Sequence, residues 1–243
     1  MSVPANRMTA RSVVLSVLLG AHPAWATTAD LLRLTSDFDI KEPTLRVALT
    51  RMVAAGDLVR SEDGYRLSDR LLARQRRQDD ALDPPTREWD GDWTMAVVTA
   101  VGEDARTRAW LRTTLLHNRF GELREGVWLR PANLDFAIPE QARDLMRILI
   151  ARDADDARLV ALLWDLPGWS ATGHRLLDEL RAAADVPGQF VVAAAIVRHL
   201  LTDPMLPAAL LPADWPGRRL RDGYADFVAL LLQRRDSGLV EAT

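Results

Sequence analysis

Along the head of the chain, apolar residues recur in short helical runs separated by turn-formers. Thr9 precedes the apolar stretch Val13–Leu19, which predicts an N-capped helix ended at Gly20. Thr27 or Thr28 opens a second, short helix through Leu34, and Ser36-Asp37-Phe38-Asp39 reads as a turn. A third helix is predicted from Glu42 to Ala55, with Pro43 tolerated in its first turn and Gly56 closing it. Its apolar positions Leu45, Ala48, Leu49 and Met52 form one stripe at helical period. Leu58–Ser61 and Tyr65–Leu67 flank Glu62-Asp63-Gly64, the signature of a hairpin. The order is helix, helix-turn-helix, β-wing. Ser68 opens a further helix through Gln78.

After Pro84-Pro85 the pattern changes. Trp93–Ala100 reads as a strand, Glu103–His117 as a helix, and Phe120–Leu123 with Val127–Leu129 as a strand pair turning at Glu125-Gly126. Pro139–Ala151 is predicted as a second helix, and the run Leu159–Leu166, apolar but for Asp165, as a central strand. That βαββαβ order predicts a ferredoxin-like sandwich. Beyond Pro167 only helices are expected, at Thr172–Ala184, Gln189–Leu201 and Gly217–Arg235, with a proline-rich connection from Asp203 to Gly217. The expected class is α+β and multi-domain. A winged helix-turn-helix occupies 1–78, a linker 79–88, a ferredoxin-like middle domain 89–167 and a helical C-terminal domain 168–243.

Composition narrows the chemistry. Cysteine is absent, so disulfides and thiolate metal sites are excluded. The four histidines, His22, His117, His174 and His199, never fall at i,i+4 spacing, which argues against a histidine metal site. The net charge of −3 conceals an asymmetry: residues 1–78 carry 12 Lys+Arg against 8 Asp+Glu, and 79–243 carry 19 against 26. A basic head on an acidic body fits a nucleic-acid-binding module joined to a non-binding one. Arg7 and Arg11 before Val13–Ala21, with Ala24-Trp25-Ala26 after it, also resemble a secretory signal. Arg11 and Ser16 interrupt that pattern, and the same residues supply the head's first helix. The expected location is therefore cytoplasmic.

With its apolar stripe buried, the third helix presents Pro43, Thr44, Arg46, Val47, Thr50 and Arg51 outward. Arginine forms paired hydrogen bonds to guanine O6 and N7, threonine bonds bases or phosphates, and valine touches a thymine methyl. Lys41 sits at the positive helix end, suited to a phosphate. Arg11, Thr28, Arg60 and Arg66 complete the candidate DNA contacts. No nucleophile-elbow, phosphate-loop, zincin or dinucleotide motif occurs, so no catalytic residue, cofactor or metal is expected, and the chain is read as a non-enzyme. Asp153, Asp155 and Asp156 read as a solvated turn. Seven of the eight tryptophans lie beyond the head. Most must be core, and some suit an effector pocket. Arg119, Trp128, Arg130 and His199 are the candidate effector contacts.

The chain resembles the PaaX family, repressors of phenylacetic-acid catabolism and their relatives. The resemblance runs from Ala10 to Arg235. It is carried by Ala10-Arg11-Ser12-Val13, Thr44–Val53, Phe120-Gly121-Glu122-Leu123, Gly126–Pro131, Asp203-Pro204-Met205-Leu206-Pro207 and Leu210–Gly217. The recognition helix departs from the pattern at Lys41-Glu42-Pro43, where relatives more usually have a small capping residue and no proline. The resemblance implies the three-part architecture and a homodimer on an inverted-repeat operator. It also implies repression of a catabolic operon, relieved by a coenzyme A thioester such as phenylacetyl-CoA or by an aryl-acid-derived ligand. Two other readings fit less well. One is a DNA-binding protein with no effector, whose body serves dimerisation or a protein partner. The other is a metal-dependent nuclease, because the middle domain resembles small nuclease subunits of CRISPR adaptation systems. Their first strand ends in a metal-organising aspartate. Here Val98-Thr99-Ala100-Val101 offers no carboxylate before Glu103.

Overall fold

The computed structural model describes residues 8–82, 86–100, 104–135 and 138–236, without the side chains of Ala81, Arg235 and Asp236. The fold is α+β, and the chain forms two compact units, each discontinuous in sequence. One comprises Met1–Leu82, Leu176–Arg198 and Arg219–Thr243; the other comprises Asp83–Arg175 and His199–Arg218.

In the first unit, helix α1 (Ala10–Gly20) is capped by Thr9, whose hydroxyl accepts the Ser12 N–H. Strand β1 (Trp25–Thr27) follows, then α2 (Thr28–Ser36) and α3 (Glu42–Ala54). Thr27 is the α2 cap and shares a reciprocal capping box with Asp30. Asp39, at φ 55°, makes the left-handed turn between α2 and α3. Strands β2 (Leu58–Arg60) and β3 (Gly64–Leu67) form the wing, and β1 joins them in the order β1-β3-β2. This third strand was not expected. Gly64 makes it possible: a Cβ there would lie 2.3 Å from the Ala26 carbonyl oxygen. Val14, Leu18, Leu31, Leu45, Leu49, Met52, Leu58 and Leu67 build the core beneath α3. The stretch Val13–Ala26, which resembles a secretory signal, forms most of α1 and the start of β1 in this layout of helices and wing; Arg7 lies outside the described residues.

Helix α4 (Asp69–Leu82) runs four residues past Gln78. The expected linker therefore begins no earlier than residue 83, and Pro84-Pro85 lie outside the described residues. Ser68 does not cap α4 with its side chain: its hydroxyl is buried without a partner, and its carbonyl accepts Leu71 and Leu72 N–H instead. Gln75 on α4 is buried, and its amide donates to the carbonyls of Leu18, Leu19 and Ala21. It thereby satisfies the C-terminal end of α1, where carbonyls lack helical partners. The C-terminal portion of this unit packs on the same body. Phe190 meets Phe38 edge-on at 5.1 Å and Phe227 at 6.1 Å. Gln78 donates to the Tyr224 hydroxyl at 2.9 Å. Burial, with Asp79 nearby, pushes the Tyr224 phenol up to about 12, against the opposing pull of that bond.

The second unit contains β4 (Trp93–Val98), α5 (Ala105–His117), β5 (Gly121–Arg124), β6 (Val127–Pro131), β7 (Met146–Ala151) and α6 (Asp156–Leu163). The sheet is antiparallel in the order β5-β6-β4-β7, as in a ferredoxin-like sandwich. Two expected elements change type. Pro139–Ala151 is not a helix: a single 3-10 turn (Glu140–Ala142) stands where the second crossover helix was expected, and β7 follows. Leu159–Leu166 is not a strand. Asp155 accepts the Arg158 N–H and starts α6, which buries Leu159 and Val160 but exposes Leu162. One sheet face packs Ala96, Trp128 and Met146 against Leu111 and Leu115 of α5. The other packs Trp93 and Leu129 against Leu159, Val160, Leu166 and Leu206. Helices α7 (Leu166–Ala182), α8 (Val186–Leu200) and α9 (Gly217–Asp236) complete the chain.

Candidate nucleic-acid interface

Helix α3 sorts its side chains as the stripe predicts. Leu45, Leu49 and Met52 are buried, whereas Lys41, Pro43, Thr44, Arg46, Val47, Thr50 and Arg51 are all exposed. Val47 is 51% exposed, a large apolar side chain in open solvent at the centre of the helix. A groove runs between this face and the start of α1, lined by Thr9, Arg11, Thr44, Val47 and Arg51. Lys41 occupies the N-cap without a side-chain cap bond, and Pro43 sits in the first turn where no N–H is needed. Arg46 pairs with Glu42 one turn back, whose Oε1 accepts from Nε at 2.8 Å and Nη2 at 2.6 Å. Thr50 donates to the Arg46 carbonyl, which leaves its oxygen lone pairs outward.

The flanking candidates divide. Thr28 is half-buried at the N-terminus of α2. Arg60 and Arg66 are both exposed, but Arg60 pairs across the ribbon with Tyr65, and Arg66 with Val59 and Trp25. Strand alternation therefore sends them off opposite faces of the wing. Arg11 is committed to an ion pair that sequence reasoning missed. Its Nε and Nη2 donate to Asp57 Oδ2 at 3.0 and 2.8 Å, and Arg70 Nη2 donates to Asp57 Oδ1 at 2.6 Å. The Asp57 side chain is 3% exposed, against 61% for Arg11 and 66% for Arg70. The only sequence signal was an acidic residue directly after the helix-closing Gly56.

The four effector candidates lie in the second unit and have structural partners. Trp128 and Arg130 alternate onto one face of β6 and are 3% and 2% exposed. Arg112 lies over the Trp128 ring at 5.1 Å. Arg130 stacks on Phe120 at 5.1 Å and donates to the carbonyls of Asn118 and Leu134. Burial, with Arg87 nearby, lowers its guanidinium to about 10, opposed by Asp135. Arg119, left-handed at φ 66°, donates to the Leu201 carbonyl. His199 stacks on Trp169 at 4.1 Å, and Trp169 stacks on Trp215 at 4.3 Å. Burial depresses the His199 imidazole below its ordinary value, against the Trp169 carbonyl bond and Asp203, with Arg175 adding to the depression. The Asp203-Pro204-Met205 motif is also built in: buried Asp203 accepts the N–H of Met205, which is left-handed at φ 53°. Among the described residues, no group of three or more His, Cys, Asp or Glu is placed to hold a metal ion. No described helix is long and apolar enough to cross a membrane.

Three family models match in chain order. The PaaX-like protein model covers residues 9–71, the PaaX protein central Cas2-like domain covers 86–148, and the PaaX-like protein C-terminal domain covers 170–237. The chain belongs to the PaaX family. A solved structure, the uncharacterized protein Rv0674 from Mycobacterium tuberculosis, superposes with a TM-score of 0.87 at 67% identity, covering 94% of this chain and 98% of that one. The comparison with curated proteins found no match. The first family model spans α1 to the start of α4 and so contains every candidate DNA contact. The second covers β4 to β6 of the four-stranded sheet and the first half of β7. The PaaX family is one of transcriptional regulators, and this chain's membership places it among them.

Proposed function

We propose that the chain is a cytoplasmic DNA-binding repressor, acting as a dimer on an inverted-repeat operator of a catabolic operon. The observation that carries this reading is the outer face of α3. Eight positions from Lys41 to Arg51, Glu42 among them, are exposed above an apolar inner stripe, and they combine hydrogen-bond donors with an exposed methyl-bearing side chain. A rigid helix of that composition, with a wing beside it, matches the width and donor–acceptor pattern of the major groove. Two copies would place two such helices in successive grooves. Release by an acyl-CoA or aryl-acid-derived ligand belongs to the same proposal, supported by the family. It works only if the ligand binds one dimer geometry better than the other.

The test is a mobility shift with the DNA upstream of the chain's own operon, with and without a thioester panel. Arg46→Ala is expected to lower specific affinity by about 1–3 kcal/mol and to relax preference at one base pair. Lys41→Ala is expected to weaken binding to all sequences alike and to flatten the salt dependence. Unchanged operator binding by both variants refutes the interface. A thermal-shift screen with acyl-CoA thioesters and aryl acids reads the ligand separately, because a ligand of the folded state raises the melting temperature.

A further inference from the structure

Helix α3 carries two arginines on its exposed face, and they differ in what holds them. Arg46 is clamped by Glu42, which accepts both Nε and Nη2 on a single carboxylate oxygen. Arg51 has no hydrogen-bond or ion-pair partner among the described residues. Glu42 is the one acidic side chain between Glu42 and Ala54. It and Arg46 are both open to solvent, with side chains 52% and 62% exposed. An exposed pair at this spacing adds little to helix stability. On a surface that meets phosphates, a lone carboxylate also lowers affinity. Its presence there calls for a gain of another kind.

The guanidinium is a flat fork of five N–H donors. Glu42 occupies the edge made by Nε and Nη2, so the edge made by Nη1 and the second Nη2 hydrogen stays open. That edge presents two parallel donors, the pattern that guanine O6 and N7 accept. The clamp also fixes the plane of the fork before DNA arrives, so less side-chain freedom is lost on contact. Glu42 is itself held, because it opens the helix and Pro43 fixes a backbone torsion beside it. Its second oxygen, Oε2, accepts nothing among the described residues. A carboxylate oxygen there suits the amino group of cytosine. Two donors and one acceptor complement the major-groove edge of a G·C pair, which offers two acceptors on guanine and then the cytosine amino group. An A·T pair offers acceptor, donor, acceptor and does not match. We propose that Glu42 and Arg46 read one G·C base pair as a unit. Arg46 bonds the guanine, and Glu42 both positions the guanidinium and accepts from the cytosine. Arg51, unclamped, is left for the phosphate backbone, where an adaptable cation suffices.

This inference rests on DNA reading by α3 in the proposed function, and the experiment separates the two. A randomised duplex pool is selected on the full chain and its variants, and mobility shifts follow on selected and unrelated duplexes. The wild type is expected to select G·C at one position by about tenfold or more over the other pairs. Arg46→Ala and Glu42→Ala are each expected to lose the preference at that same position and at no other. Glu42→Asp keeps an acid in the first helical turn but is one methylene shorter. It is expected to lose the preference too, whereas a carboxylate that serves only the helix end is rescued by aspartate. Glu42→Ala is expected to bind unrelated duplex at least as tightly as the wild type, because a negative charge has gone. The double variant Glu42→Ala/Arg46→Ala is expected to match Arg46→Ala, since the two act together. Glu42 variants that keep the wild-type preference, or an Arg46→Ala that keeps it, overturn the unit while leaving DNA reading by α3 standing. A wild type that selects no sequence overturns both.

Discussion

Removing Arg11 and Arg70 together is expected to cost more than the sum of removing each, because Asp57 is buried and they are not. Either arginine alone still satisfies the carboxylate. A single Arg11→Ala or Arg70→Ala loses a charge-assisted contact of about 1.5–3 kcal/mol. The arginine side chains are 61% and 66% exposed, so their hydration in the native state holds the loss near the lower end. The double variant leaves an unpaired carboxylate at 3% exposure, a change that costs about 3–5 kcal/mol for a buried charge. Adding Asp57→Asn to the double variant removes the charge that has to be desolvated, and most of the excess loss is recovered. Amide hydrogen exchange of the peptides covering α1 and α4 reads this locally, with about 1.4 kcal/mol for each tenfold acceleration. A double variant no worse than the two singles combined, or a triple variant no better protected than the double, refutes the account of Asp57 as a buried charge held by two solvated partners.

Gly64→Ala is expected to destabilise the winged head by about 1–3 kcal/mol in urea unfolding, since the new methyl group meets the Ala26 carbonyl at 2.3 Å and only backbone can yield. Phe190→Ala, which empties a buried site between Phe38 and Phe227, is expected to cost about 3–5 kcal/mol in the same assay. His199 is held below its ordinary value by burial, so the unfolded chain binds its proton more readily. Stability is therefore full above the unfolded value and falls as pH drops from there through the folded value, by at most about 1.4 kcal/mol per pH unit for one proton. Melting temperature against pH should show that fall in the wild type and less of it in His199→Gln.

Helix α3 was legible because nothing competes with its pattern: a proline in the first turn, a stripe at helical period, and a glycine at the close, all within one element. The two misread elements lie where local signals conflict. Gln141–Leu145 favours helix, yet Met146, Ile148 and Ile150 alternate onto one sheet face, and pairing with β4 outweighs the local preference. Leu159–Leu166 is apolar but for Asp165, a run that fits a buried strand or a helix equally by periodicity. Asp155 at the N-cap resolves it toward helix, a capping role hidden in an aspartate cluster that reads as a solvated turn. The Asp57 cluster was not legible, since its two arginines lie 46 and 13 residues away and only the tertiary fold brings them together. The candidate DNA contacts were drawn from a face that sequence defines. The candidate effector contacts were drawn from residue type alone, and Trp128 and Arg130 are built into the sheet's interior.

The packing of Phe190 on Phe38, with Phe227 against Phe190, also sets an order of events during synthesis. The winged head has its own apolar core, made entirely of residues between Ala10 and Leu71, so it can close as soon as that stretch leaves the ribosome. Its flank at Phe38 and Gln78 is a different matter: the residues that cover it are encoded at the far end of the chain. At about 5–20 residues per second of translation, that flank waits many seconds uncovered. A nascent or prematurely ended chain thus carries a folded winged head with Phe38 uncovered, a state visible to chaperones and proteases until α8 and α9 have been made.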